Sequence, residues 1–189
     1  HLREIGIEPV IDSPGVGKNL QDHLAVLVHY ARKTGSPFQE LMRFDRIALA
    51  MIRAFLFNSG PATVLPSGLH GYIKTRPELA VPDLQFLFRG TSPKAGMWFP
   101  GFAKKYEEGF GMRPVLLHPE STGEILLRSK NPKDKPRIIQ NFLDSPNDLP
   151  KLVEGVKIIR DIIGQSALDK WRGRELAPGA DIKSDEDIA

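Results

Sequence analysis

The sequence contains no cysteine. That excludes disulfide staples, thiolate nucleophiles and cysteine-bound zinc together, and it fits a reducing, cytoplasmic compartment. No apolar run approaches the ~18 residues of a membrane-spanning helix. The best candidate, residues 47–57, is short and interrupted by Arg53, so any membrane association would belong to other parts of a longer protein. Charge of one sign is scarce as well: 26 Lys and Arg against 23 Asp and Glu leave a net +3. The short basic clusters, Lys104-Lys105 and residues 133–137, sit beside acids or prolines. No aromatic residues interleave with a basic stripe, as nucleic-acid binding would require.

What remains is an ordinary globular composition, 41% hydrophobic and 26% charged over 189 residues. That length can bury a core without staples. Residues 1–5 read as the last turn of a helix stopped by Gly6. A first residue of His1 and an opening in mid-element suggest an internal piece of a longer protein. Residues 8–11 read as a short strand, 12–23 as a turn-rich loop and 24–32 as a strand with β-branched Val26 and Val28. Residues 44–57 form a helix whose apolar positions cover more than one face, which predicts a well-buried helix. Further strands are expected at 69–74, 83–88, 112–118, 124–128 and 137–142, punctuated by Pro and Gly clusters.

The strongest helix follows Ser145-Pro146. Leu149, Leu152, Val153, Val156, Ile159, Ile162 and Ile163 recur at helical spacing, and Gly164 ends the run. Ser145 is the expected N-cap, with the regular helix beginning nearer Asp148 so that Pro150 falls in its first turn. A short helix at 166–171 and an acidic tail complete the chain. The expected class is α+β: a mostly antiparallel sheet of about five to six strands with flanking helices. Residues 91–110 form a long stretch without period, rich in Gly and aromatics. Two readings stand side by side: a mobile lid carrying Trp98 over a pocket, displaced or disordered when its receiving surface is absent, or a cap on the sheet core.

Chemistry read from residue types alone is sparse. Gly15-Val16-Gly17-Lys18 invites a phosphate-loop reading but fails it. Asp12 stands where the first glycine is needed, and Asn19 follows the lysine instead of Ser or Thr. Leu20 stands where a dinucleotide fingerprint needs its third glycine. His23, His29, His70 and His118 are scattered, and Asp22-His23 neighbours point to opposite sides of an extended chain. No nucleophile elbow and no zinc-binding His-Glu-x-x-His motif is present.

The motifs taken together add what single residues do not. Ser13-Pro14-Gly15-Val16-Gly17-Lys18-Asn19-Leu20-Gln21-Asp22-His23 closely resembles the PGVGxNLxDH segment of glucose–methanol–choline oxidoreductases. His1-Leu2-Arg3-Glu4-Ile5-Gly6-Ile7 resembles the helix that precedes it. Pro82-Asp83-Leu84-Gln85-Phe86 resembles the family's PDxQ strand, and Ser121-Thr122-Gly123-Glu124-Ile125-Leu126-Leu127-Arg128-Ser129 its SxGxVxLxS hairpin. Pro132, Pro136, Ile138, Asn141 and Phe142, and then residues 171–178, resemble later family stretches in the same order.

The resemblance implies an FAD-dependent alcohol oxidoreductase, choline dehydrogenase-like in outline. Residues 1–24 would belong to a flavin-binding domain, 25–175 to the substrate-binding domain whose sheet roofs the flavin, and 176–189 to a tail leading to a last flavin-domain segment. The flavin fingerprint would lie upstream and the catalytic histidine downstream, so the resemblance assigns no catalytic residue and no metal ligand here. It places Asn19, Asp22 and His23 near the flavin, and Ala25 and Leu87 around the substrate; strand alternation adds Gln85 on the face of Leu87, and the lid reading of 91–110 adds Trp98. FAD is implied for the longer enzyme and none for this segment alone, which would be inactive by itself and open to self-association. Choline-oxidising relatives carry a carboxylate where Ala25 stands and a histidine where Leu87 stands, so an apolar small-molecule alcohol is the expected substrate; the electron acceptor is left open. A stand-alone, non-catalytic binding module of the same fold is the alternative reading.

Overall fold

The computed structural model describes residues 2–64 and 68–189. Its centre is a five-stranded antiparallel sheet in the order β2-β3-β4-β1-β7. The strands are β1 (Val28–Arg32), β2 (His70–Ile73), β3 (Leu84–Arg89), β4 (Gly109–Leu116) and β7 (Arg172–Ala177). A separate hairpin pairs β5 (Glu124–Leu126) with β6 (Arg137–Ile139). Helices α1 (Pro37–Leu41) and α2 (Phe44–Phe57) lie between β1 and β2, α3 (Asp148–Gly164) between β6 and β7, and α4 (Asp185–Ile188) closes the chain. The expected α+β class is what the structure shows.

Period-two alternation makes the core. On β3, Leu84 and Phe86 are buried; on β4 the matching face carries Phe110 and Leu116, and on β1 Val28 and Tyr30. Against this face lie Leu152, Val156, Ile159 and Ile163 of α3, each fully buried aliphatic side chain contributing roughly 1.5–3 kcal/mol. The helix comes very close to the sheet at Gly155. A Cβ there would stand 2.6 Å from Pro114 Cβ and 2.9 Å from Leu84 Cδ1.

Two polar anchors fix α3. At its start the Asp148 carboxylate, 1% exposed, accepts the Glu120 and Ser121 amides at 2.9 Å each and the Ser121 hydroxyl at 2.6 Å. Burial disfavours its charge, but the Glu120 and Ser121 donors and Lys151 outweigh that and hold the carboxyl below its ordinary value. Near its end Arg160 forks onto Glu175 of β7 at 2.7 and 3.1 Å, and Tyr30 of β1 donates to the same carboxylate at 2.9 Å. Burial and the facing Glu175 push the Tyr30 hydroxyl up to about 12.

Several elements differ from the sequence reading. Residues 8–11 form no strand, and Val10 and Ile11 stand 98% and 79% exposed. The expected strand at 24–32 becomes regular only at Val28. The Val26 amide donates to Pro114 O at 3.3 Å, but proline has no N–H to return, so the ladder breaks there and Ala25 meets Val115 in an isolated bridge. Helix α2 is not well buried: Ala50 alone of its residues is, while Leu49, Met51, Phe55 and Leu56 are exposed. Ser145 is not the N-cap of α3; its amide donates to Ser121 Oγ, and Asn147 precedes the helix without a capping bond. Only 166–168 of the expected 166–171 helix forms, as a single 3-10 turn.

Replacing Gly155 with valine should destabilise the fold by about 1–3 kcal/mol through overpacking, read as a lower denaturation midpoint. Asp148→Asn should cost about 2–3 kcal/mol at neutral pH by weakening three charge-assisted bonds. Because the carboxyl is depressed in the fold, that stabilisation is complete above the ordinary carboxylate range and is lost as pH falls through the lower folded value. The wild-type and Asp148→Asn midpoints should therefore converge in acid.

Candidate functional site

With α3 covering one sheet face, the opposite face carries the alternate residues. The strand registers line them up in rows. Ala25, Val115, Gln85 and Tyr72 form one. Arg113, Leu87 and His70 form the next, and His29, Gly111 and Arg89 a third. A cleft of about 530 Å³ opens over the last two rows, within the ~300–1,000 Å³ typical of small-molecule sites. Leu27, Leu87 and Phe38 supply its apolar wall, His29, His70, Arg89 and Arg113 its polar one, and Thr91 and Pro93 part of its rim.

His29 is held by glycine. Its ring lies across β4, where a Cβ at Gly109 would come within 2.5 Å of Cε1 and Nε2, and one at Gly111 within 3.1 Å of Nδ1. Larger residues at either position would evict the imidazole. His29 is 5% exposed, and its buried Nδ1 has no hydrogen-bond partner among the described residues. Burial lowers its pKa, the Glu107 charge and a backbone interaction with Phe110 oppose the shift, and Lys94 adds to it. On the neighbouring row Gln85 donates to the Tyr72 hydroxyl at 3.0 Å. Among the described residues no cluster of histidines and carboxylates could hold a metal ion, and no helix is long and apolar enough to cross a membrane.

The structure brings some of the sequence-derived site residues together. Ala25, Gln85 and Leu87 share the open face; Leu87 lines the cleft, while Ala25 and Gln85 lie one row away. Asn19, with φ of 57°, and Asp22 and His23 are exposed in the loop that leads into Ala25. That loop is pinned to the β5 approach by paired bonds between Leu20 and Gly123, 2.9 and 2.7 Å long. Asp22 Oδ1 accepts only the adjoining His23 amide, at 2.8 Å.

Trp98 lies elsewhere. It is buried in its own chain, its indole N–H donating to Gln39 O at 2.7 Å and its backbone bonded to Met42 and Phe44. Lys105 Nζ sits 4.3 Å from its ring centroid. This corrects the placement of Trp98 at the pocket: the aromatic clamps the loop to the α1–α2 corner, neither over the cleft nor on the sheet core, and of residues 91–110 Thr91 and Pro93 line the cleft. His29, Arg89 and Arg113 were not singled out from sequence. The Gly-x-Gly at 109 and 111, opposite a strand histidine, was the signal available.

Residues 119–189 match the GMC oxidoreductase family. The whole chain aligns with oxygen-dependent choline dehydrogenases, 34% identical over 99% of its length to that of Pseudomonas fluorescens (strain SBW25) and 30% identical over 100% to that of Staphylococcus xylosus. Its sequence is similar to GMC oxidoreductases, through the family match over residues 119–189 and through these relatives over the whole chain. It spans about a third of those relatives, 32% and 33% of their lengths. Among solved structures, a formate oxidase variant of Aspergillus oryzae RIB40, studied for its FAD modification, superposes with a TM-score of 0.82 at 22% identity, over 99% of this chain and 37% of that one. Pyridoxine 4-oxidase from Mesorbium loti gives 0.71 at 21% identity, over 99% and 32%. At these identities the structural likeness speaks for the fold, and within this GMC fold the cleft lies on the sheet face that α3 leaves open.

Substituting alanine at Gly109 should displace the His29 ring and destabilise the sheet, because the new Cβ also meets Tyr30 O at 2.7 Å. In a proton NMR titration the wild-type His29 ring should ionise below the ordinary histidine range. Its neutral burial makes the fold lose stability as pH drops below that range, since the unfolded chain then binds the extra proton.

Proposed function

We propose that this chain forms the substrate-binding part of an FAD-dependent alcohol oxidoreductase, oxidising a primary or secondary alcohol to the aldehyde or ketone. The observation that carries the proposal is the uncovered sheet face with its cleft, in a chain of GMC sequence. Residues 25–175 would be the substrate domain, 1–24 a flavin-domain element and 176–189 the lead into another.

The residues here suit one wall of a flavin site and no more. The His29 imidazole fills the space over Gly109 and Gly111, so any flavin ring would lie beyond that imidazole, and the chain has no Gly-x-Gly-x-x-Gly cradle for a pyrophosphate. FAD, if bound against this face, would supply the acceptor for the hydride leaving the carbinol carbon, the hydroxyl proton being lost separately. This chain's own contribution is to bind and orient: Leu27, Leu87 and Phe38 exclude water, and the polar side chains fix one end of the substrate. Asn19, Asp22 and His23, on the loop leading into this face, are the residues proposed to approach the flavin.

The test is anaerobic mixing of the flavin-loaded longer protein containing this chain with a panel of alcohols. Bleaching of the flavin absorbance with formation of a carbonyl product is the expected outcome, and an unreduced flavin with every alcohol would refute the assignment. The 189-residue chain alone, mixed with FAD and passed through a desalting column, should emerge without stoichiometric flavin.

A further inference from the structure

Gly111 is the floor of a basic recess. Arg113 stands two residues along β4, Arg89 pairs with Gly111 from β3, and His29 pairs with it from β1. All three line the cleft together with His70, and no Asp or Glu among the described residues lines it. Glu107, the acid whose charge reaches His29, holds Arg174 instead at 3.3 Å.

The two arginines are unanswered. Arg43, Arg46, Arg160 and Arg172 each hold a carboxylate of this chain. Arg89 and Arg113 have no side-chain hydrogen bond or ion pair among the described residues. Their positions are also mutually unfavourable. They are diagonal neighbours on adjacent strands, where like charges repel, and Arg113 is half-buried on the middle strand of the sheet. An unpaired, partly desolvated guanidinium is costly. An anion seated in the cleft between Arg89 and Arg113 would answer both guanidinium groups and stand near the His29 ring. Planar, forked guanidinium donors match a carboxylate in shape.

We propose that the cleft grips the carboxylate of its substrate, so that the alcohol is a small hydroxy acid and not a quaternary ammonium or a purely apolar alcohol. This rests on the oxidoreductase reading and adds the substrate's charge to it. The anionic end lies in the cleft between Arg89 and Arg113, and the carbon chain runs along Leu87 and Leu27. Oxidation converts the hydroxy acid to the oxo acid, removing two electrons and two protons, as a hydride to the flavin and a proton from the hydroxyl, and leaving the carboxylate untouched. The same grip therefore serves substrate and product. It replaces the expectation of an apolar alcohol drawn from Ala25 and Leu87.

Two measurements test it. In the first, the 189-residue chain is titrated with 3-hydroxypropionate, 1-propanol, choline and inorganic pyrophosphate while amide and histidine NMR signals are followed. Saturable shifts at Gly111 and His29 with 3-hydroxypropionate alone are expected. They should weaken at least about tenfold in Arg113→Gln and Arg89→Gln, and less in Arg113→Lys, which keeps the charge but loses the fork. Binding of pyrophosphate without the hydroxy acid would overturn the proposal by making the recess a cofactor-phosphate site.

The second measures kcat/KM with the flavin-loaded longer protein. Arg113→Gln should lower the value for the hydroxy acid at least about tenfold, through KM, and by far more than it lowers the value for 1-propanol. If choline or 1-propanol is oxidised while the hydroxy acid is neither bound nor oxidised, the charge assignment is overturned and the oxidoreductase reading stands. If the hydroxy acid binds but no alcohol is oxidised, the anion recess stands and the oxidoreductase reading is overturned.

Discussion

The approach of α3 to the sheet at Gly155 sets the rest of the architecture. A helix can lie this close to Pro114 and Leu84 only where it has no side chain to interpose, and the contact commits one sheet face wholly to Leu152, Val156, Ile159 and Ile163. Strand alternation then leaves His29, Leu87, Arg89 and Arg113 with one destination, the opposite face. The site is thus a by-product of which face the helix claims. Asp148 and Glu175 keep the helix in register at its two ends, one against the loop entering the hairpin and the other against β1 and β7.

Much of this was legible in the sequence because it follows from periodicity. A strand at 83–88 puts Gln85 and Leu87 on one face by alternation, and in the structure they lie opposite the buried Leu84 and Phe86. The run from Leu152 to Ile163 gave α3 and its buried stripe. Motif order pointed to the family, which the sequence relatives then supplied independently.

What escaped was decided by tertiary partners. Strand β7 reads as charged and irregular because Glu175 occupies a core-facing position, made tolerable only by Tyr30 and Arg160 from distant elements. Trp98 looked like a pocket aromatic, but its N–H found Gln39 O, far away in sequence. Helix α2 carries the composition of a buried helix and leaves most of it uncovered here; hydrophobicity alone cannot say which surface will receive it. The basic recess was invisible because its three side chains come from three strands and converge on a residue with no side chain at all.

The proline in the middle of β4 has a mechanical consequence. Between Leu24 and Leu27 the chain is stitched to β4 by bonds from one side only at the Val26–Pro114 step, whereas from Val28 onward the ladder is continuous. The stretch that carries Ala25 and Leu27 is therefore a seam, the place where the sheet yields first under load. Backbone amides there should open to solvent sooner than those of β1 proper, and the wall of the cleft can breathe without the core behind it having to unzip.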